Sequence, residues 1–167
     1  AAGRCVDESA GPGRPTVKIG PNHHGDFDLV DSLSWKKEAG PRVQGSRDLD
    51  QSKVQAPGIV AMPGGGFRLY YTAVGPGKPF PTCQGYILSA VSDDGVRFEV
   101  DPGIRLAPDP SIEHGSLRYL APTLTQLADG RWRMYFESRG PADLPTVIAS
   151  AISSDMLAWE LEEGIRL

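Results

Sequence analysis

The sequence predicts an all-β protein: a partial β-propeller of about two and a half four-stranded antiparallel blades. The first observation is an internal repeat, because residues 87–106 and 148–167 are identical at ten of twenty positions at an offset of 61. The second is that Ala56-Pro57 and Ala121-Pro122 open similar segments at an offset of 65. The third is that apolar and polar residues alternate with the period of half-buried strands in both segments. Tandem self-similarity of this length is typical of a repeat fold.

Each copy begins with two strands joined by a tight turn. The first strands are the apolar runs Ile59–Met62 and Leu124–Leu127. Glycine-containing hairpin turns follow them, at Gly64–Gly66 and Asp129-Gly130. The second strands alternate large apolar residues with Arg and Tyr, in Phe67–Tyr71 and Trp132–Phe136.

Two further strands complete each copy. The third strands are Ile87–Val91 and Ile148–Ile152, whose small residues suit the close approach of neighbouring sheets. Asp94-Gly95 predicts a hairpin turn before a fourth strand at Val96–Val100. We expect Asp94 and its counterpart Asp155 to bond their own backbone in these turns.

The predicted organisation is an irregular arm, a half blade and two full blades, over residues 1–25, 26–43, 56–106 and 121–167. The half blade rests on Asp31 and Trp35, which match Asp94 and Phe98 at an offset of 63. The blades within 26–167 are too few to close a ring, which takes at least about four. We therefore expect either further blades from a longer protein or a partner chain to cover the open sides.

Composition limits the classes of partner. The net charge of −4 argues against nucleic acid and against an anionic membrane surface. No apolar run approaches the ~20 residues that cross a bilayer. The only cysteines, Cys5 and Cys83, leave two interpretations open. A disulfide between them indicates an extracytoplasmic protein, whereas two thiols indicate a cytosolic one.

Several motifs recur in both copies. An acidic connector leads to an Ala-Pro pair, then to (Asp/Gly)-Gly-x-(Trp/Phe)-Arg-(Leu/Met)-Tyr-(Tyr/Phe), and then to Ser-Ala-x-Ser-x-Asp. Over residues 27–167 this pattern resembles the five-bladed propeller glycosidases, which include arabinanases, xylosidases, invertases, levansucrases and mannoside phosphorylases. The resemblance implies a carbohydrate ligand. It also implies a central funnel whose mouth is lined by the residues that lead from each connector into the first strand of a blade.

Carboxylates in the connectors are the predicted catalytic residues. Alignment on the two Ala-Pro pairs places Asp48 opposite Glu113 and Asp50 opposite Gly115. A propeller brings equivalent positions of neighbouring blades to one opening. Glycoside hydrolysis needs a pair of carboxyl groups, one to protonate the leaving oxygen and one to act as nucleophile or to activate water. We therefore predict Asp48, Glu113 and Asp50 as catalytic candidates.

The predicted substrate-binding residues surround these carboxylates: Lys53, Arg118, His114, Tyr119 and Glu137. Lys53 and Arg118 also suit an anionic group on the substrate. One departure stands against the resemblance, because Gly58 and Thr123 follow the Ala-Pro pairs, where arabinanase-like members carry Asp. Each candidate also has a structural alternative: a solvated loop carboxylate, a turn cap, or a surface ion pair such as Glu137 with Arg139.

We expect no cofactor and no metal site. His23 and His24 stand beside Asp26, but adjacent histidines of a strand point to opposite faces and no third ligand has suitable spacing. Two further functions remain open beside a glycoside hydrolase or phosphorylase. One is a non-catalytic carbohydrate-binding propeller, which the missing Asp favours. The other is a structural fragment that assembles with another chain.

Overall fold

Eight β-strands are present in residues 36–74 and 82–167, the part of the chain that this computed structural model describes. All of them lie in the unit from Pro41 to Leu167. The strands are β1 (Lys53–Ala61), β2 (Phe67–Val74), β3 (Gly85–Ser92), β4 (Glu99–Val100), β5 (Arg118–Gln126), β6 (Trp132–Arg139), β7 (Val147–Ser153) and β8 (Glu160–Leu161). A short 3-10 helix, Glu113–Gly115, precedes β5.

The strands form two antiparallel blades. In the first blade the order is β1-β2-β3-β4, and in the second it is β5-β6-β7-β8. A single parallel bridge, Gly85 with Arg118, joins β3 to β5. The predicted fold class, a partial β-propeller of four-stranded antiparallel blades, is therefore confirmed.

Both first strands are irregular at the same place. The register of β1 against β2 shifts between Gln55 and Gly58, and that of β5 against β6 shifts between Leu120 and Thr123. Within these bulges Ala56 and Ala121 have φ angles of 48° and 50°, in the left-handed region. Each precedes a proline, which disfavours the right-handed helical region for the preceding residue. The shared bulge confirms the alignment at an offset of 65.

Side chains close the turns that follow the third strands. The Oδ1 of Asp94 accepts from the backbone N–H groups of Val96 and Arg97, both at 2.8 Å. Asp155 makes the equivalent bonds in the second blade. The predicted role of both aspartates in turns is confirmed. The same bonds correct the predicted fourth strand, Val96–Val100, because Val96 and Arg97 belong to the turn and β4 begins only at Glu99.

Two apolar clusters cover the two faces of β2. Tyr70 and Ile87 pack against Met134 and Phe136 of the second blade. On the opposite face, the cluster of Leu69, Tyr71, Ala73, Leu88 and Ala90 packs against Val43 and Leu49, which precede β1, and against Val54 of β1. Strand β6 differs, since its residues alternate between buried and half-buried positions. The second blade therefore has one covered face and one partly open face.

Several predicted features lie outside the described residues: the arm over 1–25, most of the half blade over 26–43, Cys5, His23, His24, Asp26, Asp31 and Trp35. Residues 36–43 of the half blade are described and contain no strand. Gly40 has φ 78°, close to the values of 80° and 88° at Gly103 and Gly164. Gly40 therefore shares the left-handed conformation of Gly103 and Gly164, the residues that match it in the two blades. No helix in the described ranges is long and apolar enough to cross a membrane.

Candidate active site

The two connectors open at the same end of neighbouring blades. Strand β3 runs parallel to β1, because β2 pairs antiparallel with both. Strand β5 pairs parallel with β3, so β1 and β5 start at the same end. The strands come close at Gly58, where an added Cβ would lie 2.3 Å from the carbonyl oxygen of Pro122. We call the described residues 44–53 and 109–118, which enter these strands, the connector mouth.

Two of the predicted catalytic carboxylates are exposed at the connector mouth. Asp48 is exposed, and its Oδ1 lies 3.4 Å from the amide nitrogen of Gln51. Glu113 is the first residue of the 3-10 helix, and 75% of its side chain is accessible. The Nε2 of His114 lies 4.0 Å from the Oε2 of Glu113. Glu113 and His114 therefore lie within ion-pair distance of each other, and Asp48 is exposed on the other connector.

Asp50, the third catalytic candidate, holds its connector together from inside. Its residue is only 2% exposed. The Oδ1 accepts from the backbone N–H groups of Ser46 at 2.9 Å and Arg47 at 2.7 Å. The Oδ2 accepts from Arg47 Nη2 at 3.1 Å and from the Tyr71 hydroxyl at 3.3 Å. Both carboxylate oxygens are thereby committed to structural bonds.

The electrostatics of this cluster favour the ionised carboxylate. Burial opposes ionisation of Asp50, but the Arg47 backbone N–H, the Arg47 guanidinium and the Ser46 backbone N–H together hold its pKa below the ordinary value. Burial raises the pKa of Tyr71 to about 12. Tyr71 therefore stays a neutral donor to Asp50. The cluster is a charged structural brace and offers no proton to a substrate.

Arg118 and Lys53 occupy equivalent positions in very different surroundings. Lys53 is exposed at the start of β1, whereas Arg118 is 2% exposed at the start of β5. The Nη1 of Arg118 lies 3.4 Å from the sulfur of Cys83, which is also buried. A Cβ at Gly85 would lie 3.0 Å from the Arg118 side chain, so the segment before β3 packs directly on it. Of the two basic candidates, only Lys53 is open to solvent.

The loop between β6 and β7 supports the 3-10 helix. The Nδ1 of His114 lies 3.3 Å from the carbonyl oxygen of Pro145, and the Ser138 hydroxyl donates to the His114 carbonyl at 2.8 Å. A Cβ at Gly140 would lie 2.1 Å from the Glu113 carbonyl oxygen. The sequence pattern does not predict these supporting residues. The glycine that follows β6 was the available signal, because a backbone that approaches this closely leaves no room for a side chain.

Tyr119, which the sequence predicts as a substrate-binding residue, is a core residue. It is 1% exposed and packs edge-on against Phe136, with ring centroids 4.9 Å apart. Its hydroxyl has no hydrogen-bond partner within the described residues, and a Cβ at Gly115 would lie 2.5 Å from it. Burial raises the pKa of Tyr119, and the nearby Asp109 raises it further. No ring face is open to a ligand.

Glu137 lies outside the connector mouth, in β6. It is half-buried in β6, in register with Leu120 and Ile148, and occupies the position that Thr72 holds in β2. Its side chain belongs to the partly open face of the second blade. Among residues 36–74 and 82–167, no three His, Cys, Asp or Glu side chains are grouped as a metal site would require.

Comparison with known proteins adds evidence on the fold. No protein-family model matches the sequence, and no curated protein matches it. Solved structures do match. One comes from the GH130 family of mannoside phosphorylases, which contains glycoside hydrolases that target β-1,2 mannosidic linkages in Candida mannan. That match has a TM-score of 0.60 and 17% identity, and covers 68% of this chain and 32% of that one.

Two further structures show the same similarity. A family 117 glycoside hydrolase of the marine bacterium Zobellia galactanivorans matches with a TM-score of 0.60 and 16% identity, over 75% of this chain and 43% of that one. A glycosyl hydrolase from Bacteroides ovatus matches with a TM-score of 0.58 and 18% identity, over 68% and 32%. The chain spans about a third of the length of the first solved structures it matches. It is therefore a partial β-propeller with the fold of the five-bladed propeller glycosidases.

Proposed function

We propose that this chain supplies two blades of a carbohydrate-active propeller, in which the connector mouth binds a sugar and Asp48 and Glu113 serve as the catalytic pair. The observation that carries the proposal is the equivalence of the two connectors. Both enter parallel, adjacent inner strands through matching bulges, and Asp48 and Glu113 are exposed at aligned positions of the two connectors. Two carboxylates from neighbouring blades then face one opening.

Each group has a role in this proposal. One carboxylic acid gives its proton to the departing glycosidic oxygen, while the other carboxylate attacks the anomeric carbon or draws a proton from the attacking water. In a phosphorylase, inorganic phosphate replaces that water. His114 holds Glu113 and donates to a sugar hydroxyl, and Lys53 contributes a solvent-exposed positive charge at the same end. Asp50 braces the connector that carries Asp48.

Turnover of aryl glycosides tests the catalytic roles. A panel of such substrates, assayed with and without inorganic phosphate, is compared for the unaltered chain, Asp48→Asn and Glu113→Gln. Loss of the acid or base group lowers kcat by about 100-fold or more. Asp93→Asn is the matched control, because it removes one exposed carboxylate at the opposite end of the first blade, beyond β3. Activity that survives both connector substitutions would eliminate the pair.

A non-catalytic carbohydrate-binding propeller is the second candidate. The observation that favours it is the lack of space at Gly58, because a side chain there would collide with Pro122. The family's usual Asp after Ala-Pro therefore has no place between these two inner strands. In this case the panel gives no turnover, and calorimetric titration with the same glycosides gives equal affinity for the unaltered chain and Glu113→Gln.

A further inference from the structure

The first blade holds its neighbour through a group of side-chain donors on one face. Arg68 Nη1 and the Tyr70 hydroxyl both donate to the carbonyl oxygen of Met156, at 3.2 Å and 2.7 Å. Arg105 Nη1 donates to the carbonyl oxygen of Leu157 at 3.1 Å. Met156 has φ 65° and is buried, so the turn after β7 presents its carbonyl directly to these donors. We call Arg68, Tyr70 and Arg105 the first turn socket.

A second contact holds the inner strand of the neighbouring blade. The backbone N–H of Ala121, in the bulge of β5, donates to the Thr72 hydroxyl at 2.8 Å. Beside it, Gly58 leaves space for the carbonyl of Pro122. The two blades therefore contact each other at both of these places. The turn that contains Met156 binds to the first turn socket, and the bulge of β5 packs against β1 and β2.

The second blade carries the same socket on its partly open face. Arg133, Tyr135 and Arg166 stand at the positions of Arg68, Tyr70 and Arg105, at offsets of 65, 65 and 61. We call these three residues the second turn socket.

The supporting acid is also repeated. Ser89 donates to Asp101 at 2.6 Å, and Arg68 lies 3.7 Å from the same carboxylate. In the second blade Ser150 donates to Glu162 at 2.7 Å, and Arg133 forms two bonds of 2.8 Å to it. Arg166 donates to the Ser150 hydroxyl at 2.8 Å. The second socket is thus assembled and internally bonded.

The two sockets differ in coverage. The side chains of Arg68 and Asp101 are each 11% exposed, whereas those of Arg133 and Glu162 are 30% and 20% exposed. The turn that contains Met156 covers the first pair, and the described residues place no such turn on the second pair. We propose that the second turn socket is the docking surface for a further four-stranded blade, whose Ser-x-Asp turn presents a left-handed residue's carbonyl to Arg133 and Tyr135.

The inner edge of this second junction differs from the first in two residues. Thr123 stands where the first blade has Gly58, and Glu137 stands where it has Thr72. A Cβ at the glycine position already meets a neighbouring carbonyl at 2.3 Å, so Thr123 keeps the next inner strand further away. Glu137 is longer than Thr72 and spans the added distance to a main-chain N–H. The second junction is therefore wider than the first on the side of the inner strands.

Chain extension tests the docking surface. Appending a copy of residues 107–167 after Leu167 supplies a blade with the required turn, and the 167-residue chain is the reference. Nitration of tyrosines by tetranitromethane, mapped by peptide mass, reports access to Tyr135. We expect Tyr135 to react in the 167-residue chain and to react at least ~10-fold more slowly in the extended chain. Tyr70, which is fully buried, stays unreactive in both.

Removal of one hydroxyl identifies the contact. Tyr135→Phe is expected to shift the unfolding equilibrium of the extended chain by about 5-fold more than that of the 167-residue chain, because the Tyr135–Arg133 contact is common to both and the added hydrogen bond to the docked turn is not. Tyr70→Phe is the matched control, with a shift in both chains.

Three results would overturn the proposal. The first is equal reactivity of Tyr135 in both chains that persists with Thr123→Gly, which restores the close approach. The second is protection of Tyr135 while Tyr135→Phe shifts the unfolding equilibrium of both chains equally. The third is protection in the 167-residue chain that grows with protein concentration, which would assign the face to a second copy. None of these measurements involves a sugar, so their outcome is independent of the proposed function.

Discussion

Gly58 of β1 and Pro122 of β5 fix how closely the inner strands of the two blades approach. An added Cβ at Gly58 would lie 2.3 Å from the Pro122 carbonyl oxygen and 3.7 Å from Thr123 Cα. The contact is with backbone, which cannot rotate away as a side chain can. The position therefore excludes every residue but glycine unless the blades separate.

Gly58→Ala is expected to destabilise the protein by about 1–3 kcal/mol, because the methyl group forces two packed strands apart. The free energy of unfolding in urea is the measurement. Gly64→Ala is the control, since nothing lies within 4 Å of a Cβ at that turn position. Equal stability of the two variants would contradict the close approach of the inner strands.

Asp50→Ala is expected to cost about 1–3 kcal/mol, because it leaves the Tyr71 hydroxyl and the backbone N–H groups of Ser46 and Arg47 without their acceptor. Asp48→Ala, two residues away and exposed, should change stability by less than about 0.5 kcal/mol. Chemical denaturation of both variants makes the comparison. A mild effect at Asp50 would show that the connector does not depend on this carboxylate.

Acid should weaken the fold through the same carboxylate. The pKa of Asp50 is lowered from its ordinary value of 3.8 in the folded state, so its ionised form adds stability above that value. The contribution disappears as the pH falls through the folded pKa. We expect the free energy of unfolding to decline from pH 5 towards pH 2, and to decline less steeply in Asp50→Asn. Parallel pH profiles for the two proteins would refute this linkage.

Two buried tyrosines should respond oppositely to loss of the hydroxyl. The Tyr70 hydroxyl donates to Met156, so Tyr70→Phe is expected to cost about 1 kcal/mol. The Tyr119 hydroxyl has no partner in the described structure and lies beneath Gly115, so Tyr119→Phe should be neutral or stabilising. Thermal and chemical unfolding give the stability of each variant relative to the unaltered chain. A large loss for Tyr119→Phe would reveal a bond that the hydroxyl makes to water.

The fold could be predicted from the sequence, because repeated motifs identify equivalent positions in the two blades without any knowledge of contacts. Alignment on Ala56 and Ala121 predicted matching strands, and the two residues do share a left-handed bulge. The turn aspartates, Asp94 and Asp155, were also predictable, because their bonds reach only two or three residues along the chain.

The site was harder to predict from the sequence, because burial of a loop residue depends on partners that are distant in the chain. Asp48 and Asp50 look alike in sequence, yet only Asp50 meets Tyr71, which is 21 residues away. Tyr119 follows a charged residue at a strand entrance and resembles a surface aromatic. It is buried because Phe136 and Gly115 leave space for its ring. Such packing between segments leaves no local pattern.

The single bridge between Gly85 and Arg118 has a consequence for how such a chain grows. Each blade satisfies nearly all of its own amide ladder, so a copied segment arrives without orphaned N–H or C=O groups. What a new unit must match is a few polar side chains on its neighbour's face. A duplicated blade can therefore fold beside the first without unsatisfied main-chain groups. The ten identical positions shared by residues 87–106 and 148–167 are the pattern that such a duplication leaves.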